Sequence, residues 1–263
     1  MSVSYSSGHK ACSGCGLMIG FKQILNNLNP NSVLVLSSGC LKQVLTDYPL
    51  TSLNISAIFC DKKNVLSTAV GVYDIFKKDR VNKDVVVILE DDFFESEFEN
   101  IDFVFNQKCR LKVFVLDTTG QTSKGFNFKD FRNFYPLICT SFGFKYSASS
   151  SISDLSDLTE KVKKMVLSPT PCFLQVYTSC PVGWGVDFEK SVSIIKKGVD
   201  SGFFPVVEFE NGKLSRGNFL VKEDIFSEFL SLQTRFKDLK PEEKSYLSRK
   251  LVHKNSVLRR DLG

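Results

Sequence analysis

The strongest constraint on the fold of this 263-residue chain is a series of short, continuously apolar runs that alternate with helical stretches. A strand that is apolar at every position is buried on both faces, as in a parallel sheet covered by helices. The sequence therefore predicts an α/β fold with a mostly parallel sheet and helices on both faces. The predicted strands cover residues 32–36, 55–59, 85–89, 113–116 and 172–177.

Between these runs, apolar residues recur at the spacing of amphipathic helices. We predict one α/β domain over residues 1–205 and a C-terminal helical extension over 206–263 that packs on the domain or on a partner. The predicted helices cover residues 15–28, 65–76, 154–167 and 189–199, and a charged helical tail follows at 221–260.

Bulk properties exclude several classes of protein. No run of 18 apolar residues is present, so we expect no membrane-spanning segment and no membrane association. The net charge of +5 is modest and the basic residues are spread along the chain, which argues against nucleic-acid binding. The first residues lack the charged and apolar regions of a signal peptide, which predicts a cytoplasmic protein.

Eight cysteines carry the clearest chemical signal, because a reducing compartment disfavours disulfides and leaves metal ligation and buried thiols as their roles. Cys12 and Cys15 form a Cys-x-x-Cys pair before a predicted helix, and Cys40 and Cys180 each follow a predicted strand. Parallel sheets bind ligands at the carboxyl ends of their strands, so these four cysteines are candidate ligands of one site. The other four lie in or beside apolar segments and are interpreted as buried thiols: Cys60, Cys109, Cys139 and Cys172.

Four thiolates suit either a tetrahedral zinc ion or a [4Fe–4S] cluster, and spacing alone leaves both open. The surrounding segments resemble the β subunits of pyruvate:ferredoxin and other 2-oxoacid:ferredoxin oxidoreductases. In chain order the similar segments are Ser-Gly-His-Lys-Ala-Cys-Ser-Gly-Cys-Gly at 7–16, Ser-Gly-Cys-Leu at 38–41, Ser-Cys-Pro-Val-Gly-Trp at 179–184, Gly-Phe-Phe-Pro at 202–205 and Arg-Phe-Lys at 235–237.

The resemblance implies a thiamine-diphosphate-binding fold with a [4Fe–4S] cluster on Cys12, Cys15, Cys40 and Cys180, beside Gly39. It implies the oxidation of a 2-oxoacid, pyruvate first, with coenzyme A and ferredoxin, to acyl-CoA, CO₂ and reduced ferredoxin. It also implies α-, γ- and δ-type partner subunits, on which some catalytic groups lie. No catalytic residue is assigned on this chain.

The same resemblance predicts a divergent thiamine site. The family's Gly-Asp-Gly motif, which holds Mg²⁺ and the diphosphate, reads Glu90-Asp91-Asp92 here, so both glycines are replaced by acidic residues. The segment 117–124 resembles a longer family loop from which several residues are missing. By the resemblance, Asp91 and Thr118 are candidate Mg²⁺ ligands and Gly120 lies beside the cofactor.

Three alternatives stay open at this point. The acidic residues at 90–92 and 117 also suit solvated turns at strand ends. The chain could be a thiamine-free electron-transfer or assembly subunit that kept the cluster but lost catalysis. It could also be a structural protein stabilised by zinc.

Overall fold

The computed structural model describes residues 5–6, 8–47, 50–98, 100–101, 104, 109–119 and 134–262. The strands are β1 Val33–Ser37, β2 Thr46–Asp47, β3 Leu50–Thr51, β4 Ala57–Cys60, β5 Val85–Glu90, β6 Lys112–Asp117, β7 Tyr146–Ser151, β8 Cys172–Tyr177, β9 Val207–Glu210 and β10 Lys213–Gly217. The described helices are α1 Gly16–Leu25, α2 Cys40–Leu45, α3 Val65–Lys78, α4 Asp91–Ser96, α5 Tyr135–Ser141, α6 Leu155–Leu167, α7 Pro181–Trp184, α8 Ser191–Asp200, α9 Glu223–Ser231 and α10 Pro241–Leu262.

Eight of the strands form one sheet in the order β10-β9-β7-β8-β6-β5-β1-β4. The six strands from β7 to β4 in this order are parallel, and β9 and β10 add an antiparallel edge. The short strands β2 and β3 form a separate hairpin. The predicted fold, a mostly parallel sheet with helices, is confirmed.

Helices cover both faces because alternate side chains of each strand point to opposite sides. In β1, Leu34 and Leu36 enter one buried cluster and Val35 enters the other. The first cluster contains side chains of α1, α2, α6, α8 and α9, and the second contains side chains of α3, α4 and α5. Strands β1, β5, β6 and β8 are buried at every residue, which explains their unbroken apolar sequence.

Five strands of the described residues were not predicted from the sequence: β2, β3, β7, β9 and β10. Strand β7 reads Tyr-Ser-Ala-Ser-Ser-Ser and carries no apolar run, yet it is buried at every position. Its serines are satisfied locally: the hydroxyls of Ser147 and Ser149 donate to the carbonyls of Pro136 and Pro205 at 2.8 Å. A buried polar strand of this kind is stable only when each hydroxyl finds a partner.

The C-terminal region begins inside the sheet. Strands β9 and β10 follow the division expected at residue 205, and β9 pairs antiparallel with β7. Beyond them, Phe226 and Phe229 of α9 pack against Phe203 and Phe204 in the first buried cluster. The residues after 205 therefore contribute two strands to the sheet and a helix to its first buried cluster. None of the helices in the described ranges is both long and apolar enough to cross a membrane.

Candidate functional site

Four cysteines from three separate segments lie at the carboxyl edge of the parallel strands. Cys15 directly precedes α1, Cys40 is the first residue of α2 after β1, and Cys180 directly precedes α7 after β8. Cys12 is exposed, whereas the other three are half-buried. The remaining four cysteines are buried, as the sequence predicted.

Backbone contacts hold the segment of Cys12 and Cys15 against the loop of Cys180. The N–H of Cys15 donates to the carbonyl of Cys12 at 3.1 Å, and the N–H of Gly16 donates to the carbonyl of Ser179 at 3.1 Å. The tight turn between the two cysteines uses Gly14, whose φ of +66° suits glycine. The two loops are therefore fixed relative to each other by hydrogen bonds of the main chain.

The thiols of this group influence one another's ionisation. Burial, together with the charges of Glu90, Cys15, Cys180 and Cys12, raises the pKa of Cys40 to about 12. Burial also raises the pKa of Cys15, to which the charges of Cys180 and Cys12 add. The hydrogen bond between Gly16 and Ser179, and the position of Cys40 at the start of α2, place the segments of these cysteines at one edge of the sheet.

Cys180 has two stabilising neighbours. Burial raises its pKa, whereas the N–H of Gly183, which donates to Sγ at 3.3 Å, lowers it. The positive charge of Arg235 lowers it further. A hydrogen bond and a cation at this sulfur favour the thiolate, which is the form that binds metal.

Glu90, at the end of β5, turns toward the cysteines. It is 3% exposed, and its carboxylate accepts hydrogen bonds from the N–H groups of Cys40 at 3.1 Å and Leu41 at 3.0 Å. Burial raises the pKa of Glu90, and these two N–H groups lower it. Gly39 makes the approach possible, because a Cβ there would lie 2.6 Å from Oε1 of Glu90.

The two candidate Mg²⁺ ligands of the sequence analysis are in contact. Oδ1 of Asp91 accepts from the hydroxyl of Thr118 at 2.9 Å and from its N–H at 3.2 Å. Both residues are buried. The ends of β5 and β6 thus place two oxygen-bearing side chains at one point.

The neighbouring acidic residues have partners of their own. The exposed Asp92 forms a 2.9 Å ion pair with Lys62 and so turns away from Asp91. Asp117 accepts from the side chain of Gln175 at 2.5 Å and from the N–H of Thr119 at 2.7 Å. Asp117 is buried, so the solvated turn considered for it does not describe its position. Gly120 lies outside the described residues.

A clamp of two side chains, Trp184 and Arg235, holds the end of β6. The indole N–H of Trp184 donates to the carbonyl of Thr118 at 2.8 Å. The guanidinium of Arg235 lies 4.3 Å from the Trp184 ring centroid and donates to the carbonyl of Thr119 at 3.0 Å. These contacts were not predicted from the sequence, although both residues lie in segments that carry the family resemblance.

Comparison with known proteins finds relatives that match most of the chain. Pyruvate synthase subunit PorB of Methanothermobacter thermautotrophicus is 28% identical, over 90% of this chain and 91% of its own. The subunit of the same name from Methanocaldococcus jannaschii is 25% identical over 97% and 96%. Ketoisovalerate oxidoreductase subunit VorB of Pyrococcus abyssi is 22% identical over 91% and 87%. No protein-family model matches the chain.

A solved structure shares the fold. It is a chain of the 2-oxoglutarate:ferredoxin oxidoreductase from Magnetococcus marinus with 2-oxoglutarate, coenzyme A and succinyl-CoA bound. The TM-score is 0.53 at 15% identity, with 68% of this chain and 67% of that chain covered. The sequence relatives confirm the resemblance seen in the motifs: over most of its length the chain is similar to pyruvate synthase and ketoisovalerate oxidoreductase subunits, which fits a β subunit of a 2-oxoacid:ferredoxin oxidoreductase.

Proposed function

We propose that this β subunit holds one [4Fe–4S] cluster on Cys12, Cys15, Cys40 and Cys180 and passes the electrons of 2-oxoacid oxidation toward ferredoxin. The observation that carries the proposal is the convergence of these four thiols. They come from three segments far apart in sequence, and each segment lies at the carboxyl edge of the sheet, which supports a shared site.

The residues present fit such a cluster. Half-buried thiols with raised pKa values need nearby positive charge to ionise, which the irons of a cluster supply. In the part of the chain that the structure describes, no three His, Cys, Asp or Glu side chains are arranged around a single metal ion. The relatives are subunits of 2-oxoacid oxidoreductases, and this resemblance supports the cluster over zinc.

The residues at the end of β5 supply part of what a magnesium ion, and the thiamine diphosphate bound through it, would need. Asp91 and Thr118 supply adjacent oxygen atoms of the kind that Mg²⁺ prefers. The extra charges of Glu90 and Asp92 do not crowd Asp91, because each carboxylate turns to other partners. We propose that Asp91 and Thr118 hold Mg²⁺.

The residues of this chain bind the cofactors, orient them and shield the site from water. When bound, thiamine diphosphate would supply the nucleophile for the 2-oxo carbon and the electron sink for decarboxylation. Asp91 and Thr118 fix the position of the cation, and Trp184 and Arg235 fix the backbone of Thr118 and Thr119. The apolar cluster beneath Cys15, Cys40 and Cys180 excludes water from the inner side of the cysteine group.

Pyruvate is the proposed 2-oxoacid, since two of the relatives described above are named pyruvate synthase subunits. Coenzyme A and ferredoxin are the proposed co-substrates, in keeping with the coenzyme A bound to the structural neighbour. The α-, γ- and δ-type subunits of the same oxidoreductase are the proposed partners.

A second candidate is an electron-transfer or assembly subunit without thiamine. The observation that favours it is Glu90, which replaces the first glycine of the diphosphate motif and fills the space over Gly39. In this case the four cysteines keep their role and Asp91 and Thr118 are only a structural pair.

The native complex, purified without oxygen, separates the two candidates through its content of iron, sulfide, thiamine diphosphate and Mg²⁺ per β subunit. After subtraction of clusters on other subunits, the proposal predicts about four irons and about one thiamine for this chain. Iron at that level without thiamine establishes the second candidate. The absence of iron from this chain overturns both.

A further inference from the structure

The carboxylate of Glu90 is held by polar groups of neighbouring residues. Its two oxygens accept from the N–H groups of Cys40 and Leu41, and the Ser37 hydroxyl lies 3.4 Å from Oε1. The N–H of Glu90 in turn donates to the Ser37 hydroxyl at 3.3 Å. A carboxylate that accepts several hydrogen bonds at once is held in one orientation.

This position has two consequences for the neighbouring cysteine. First, the N–H of Cys40 is used by Glu90 and is withheld from a sulfur atom. Second, the carboxylate of Glu90, which is 3% exposed, contacts the backbone of the residue that we assign as a cluster ligand. Hydrogen bonds to sulfur and the net charge around a cluster both set its reduction potential. Both consequences oppose the addition of an electron.

We infer that Glu90 is a positioning residue for the cluster: it fixes the start of α2, which carries Cys40, and lowers the reduction potential of the cluster. The inference rests on the proposed function, because it requires the cluster on the four cysteines. The role differs from the one that the family resemblance gives this position, where a glycine approaches the diphosphate. A lower potential makes the reduced cluster a stronger donor to its electron acceptor.

The test is a redox titration of the anaerobic complex, followed by the electron paramagnetic resonance signal of this cluster. Glu90→Gln keeps the size of the side chain and removes its charge. We expect an unchanged content of iron and sulfide. We expect the reduction potential to become more positive by at least about 59 mV, which corresponds to a tenfold change in the one-electron equilibrium. Glu90→Gly, which removes the side chain, shifts the potential in the same direction.

Asp92→Asn is the matched control, because it removes the same charge two residues away from an exposed, lysine-paired side chain. We expect no shift for this variant. Equal shifts in Glu90→Gln and Asp92→Asn, or an unchanged potential in both Glu90 variants, overturn the inference and leave the proposed function standing. A wild-type chain without iron overturns the proposed function itself, and this inference with it.

Discussion

Three consecutive carboxylates at the end of β5 point in three directions. Glu90 faces Cys40, Asp91 faces Thr118 and Asp92 pairs with Lys62 at the surface. Charge counted along the sequence therefore overstates the repulsion at the proposed Mg²⁺ site. Adjacent residues at the start of a short helix project to different sides, so each finds its own partner.

Asp91 is the residue on which the proposed Mg²⁺ site depends most. Asp91→Asn keeps an oxygen for Thr118 but removes the charge that binds a hard cation. We expect bound Mg²⁺ and thiamine diphosphate to fall at least tenfold, about 1.4 kcal/mol of binding free energy. The measurement is thiamine binding to the complex at a series of Mg²⁺ concentrations. Thiamine affinity equal to that of the wild type contradicts the assignment.

For single residues, the sequence indicated which ones to consider at the site, but not which groups they contact. The convergence of the four cysteines could be predicted because each lies at a strand end or before a helix, and such ends meet at one edge of a parallel sheet. The contact of Glu90 with Cys40 and Leu41 could not. It depends on the distance between β1 and β5 and on the space left by Gly39, which only the folded chain defines.

At the scale of elements, the Trp184–Arg235 clamp joins three parts of the chain. It connects the end of β6, the helix α7 that follows Cys180 and the 3₁₀ turn Thr234–Phe236 of the C-terminal region. The contacts are a ring stack, a hydrogen bond of the indole and a hydrogen bond of the guanidinium. These contacts therefore link the segment that follows Cys180 to the backbone of Thr118 and Thr119 after β6.

The clamp leads to a stability prediction. Arg235→Met removes the cation–ring contact and leaves the Thr119 carbonyl without this donor. We expect the loss to cost about 1–3 kcal/mol of unfolding free energy and to lower the thermal midpoint of the anaerobic complex. Lys237→Met, which changes an exposed cation in the next turn, is the control and leaves the midpoint unchanged. An equal change in both variants shows that the clamp contributes nothing.

Among the strands of the main sheet, those with a continuously apolar sequence were predicted, and those with polar or alternating sequence were missed. Strands β1, β5, β6 and β8 are each buried from end to end and read as valine- and leucine-rich runs. Strand β7 is equally buried but mostly serine, and the edge strand β10 is mostly exposed. Hydrophobic periodicity cannot identify a strand whose buried side chains are polar and satisfied by hydrogen bonds.

At the scale of the whole molecule, one edge of the sheet holds all the groups discussed above. The parallel order of β1, β5, β6 and β8 brings Cys40, the acidic residues after β5, Thr118 and Cys180 to the same side. The antiparallel strands β9 and β10 lie at the far end of the sheet, beyond β7. The topology therefore makes the proposed cluster site and the proposed Mg²⁺ site neighbours.

The central claim is that four cysteines of one chain ligate one cluster, and iron bound per chain in two cysteine variants tests it most directly. Cys180→Ala removes a proposed ligand, whereas Cys172→Ala removes a buried thiol in the preceding strand. We predict about four irons for the wild type and Cys172→Ala, and about three or fewer for Cys180→Ala. Four irons retained in Cys180→Ala would contradict the account.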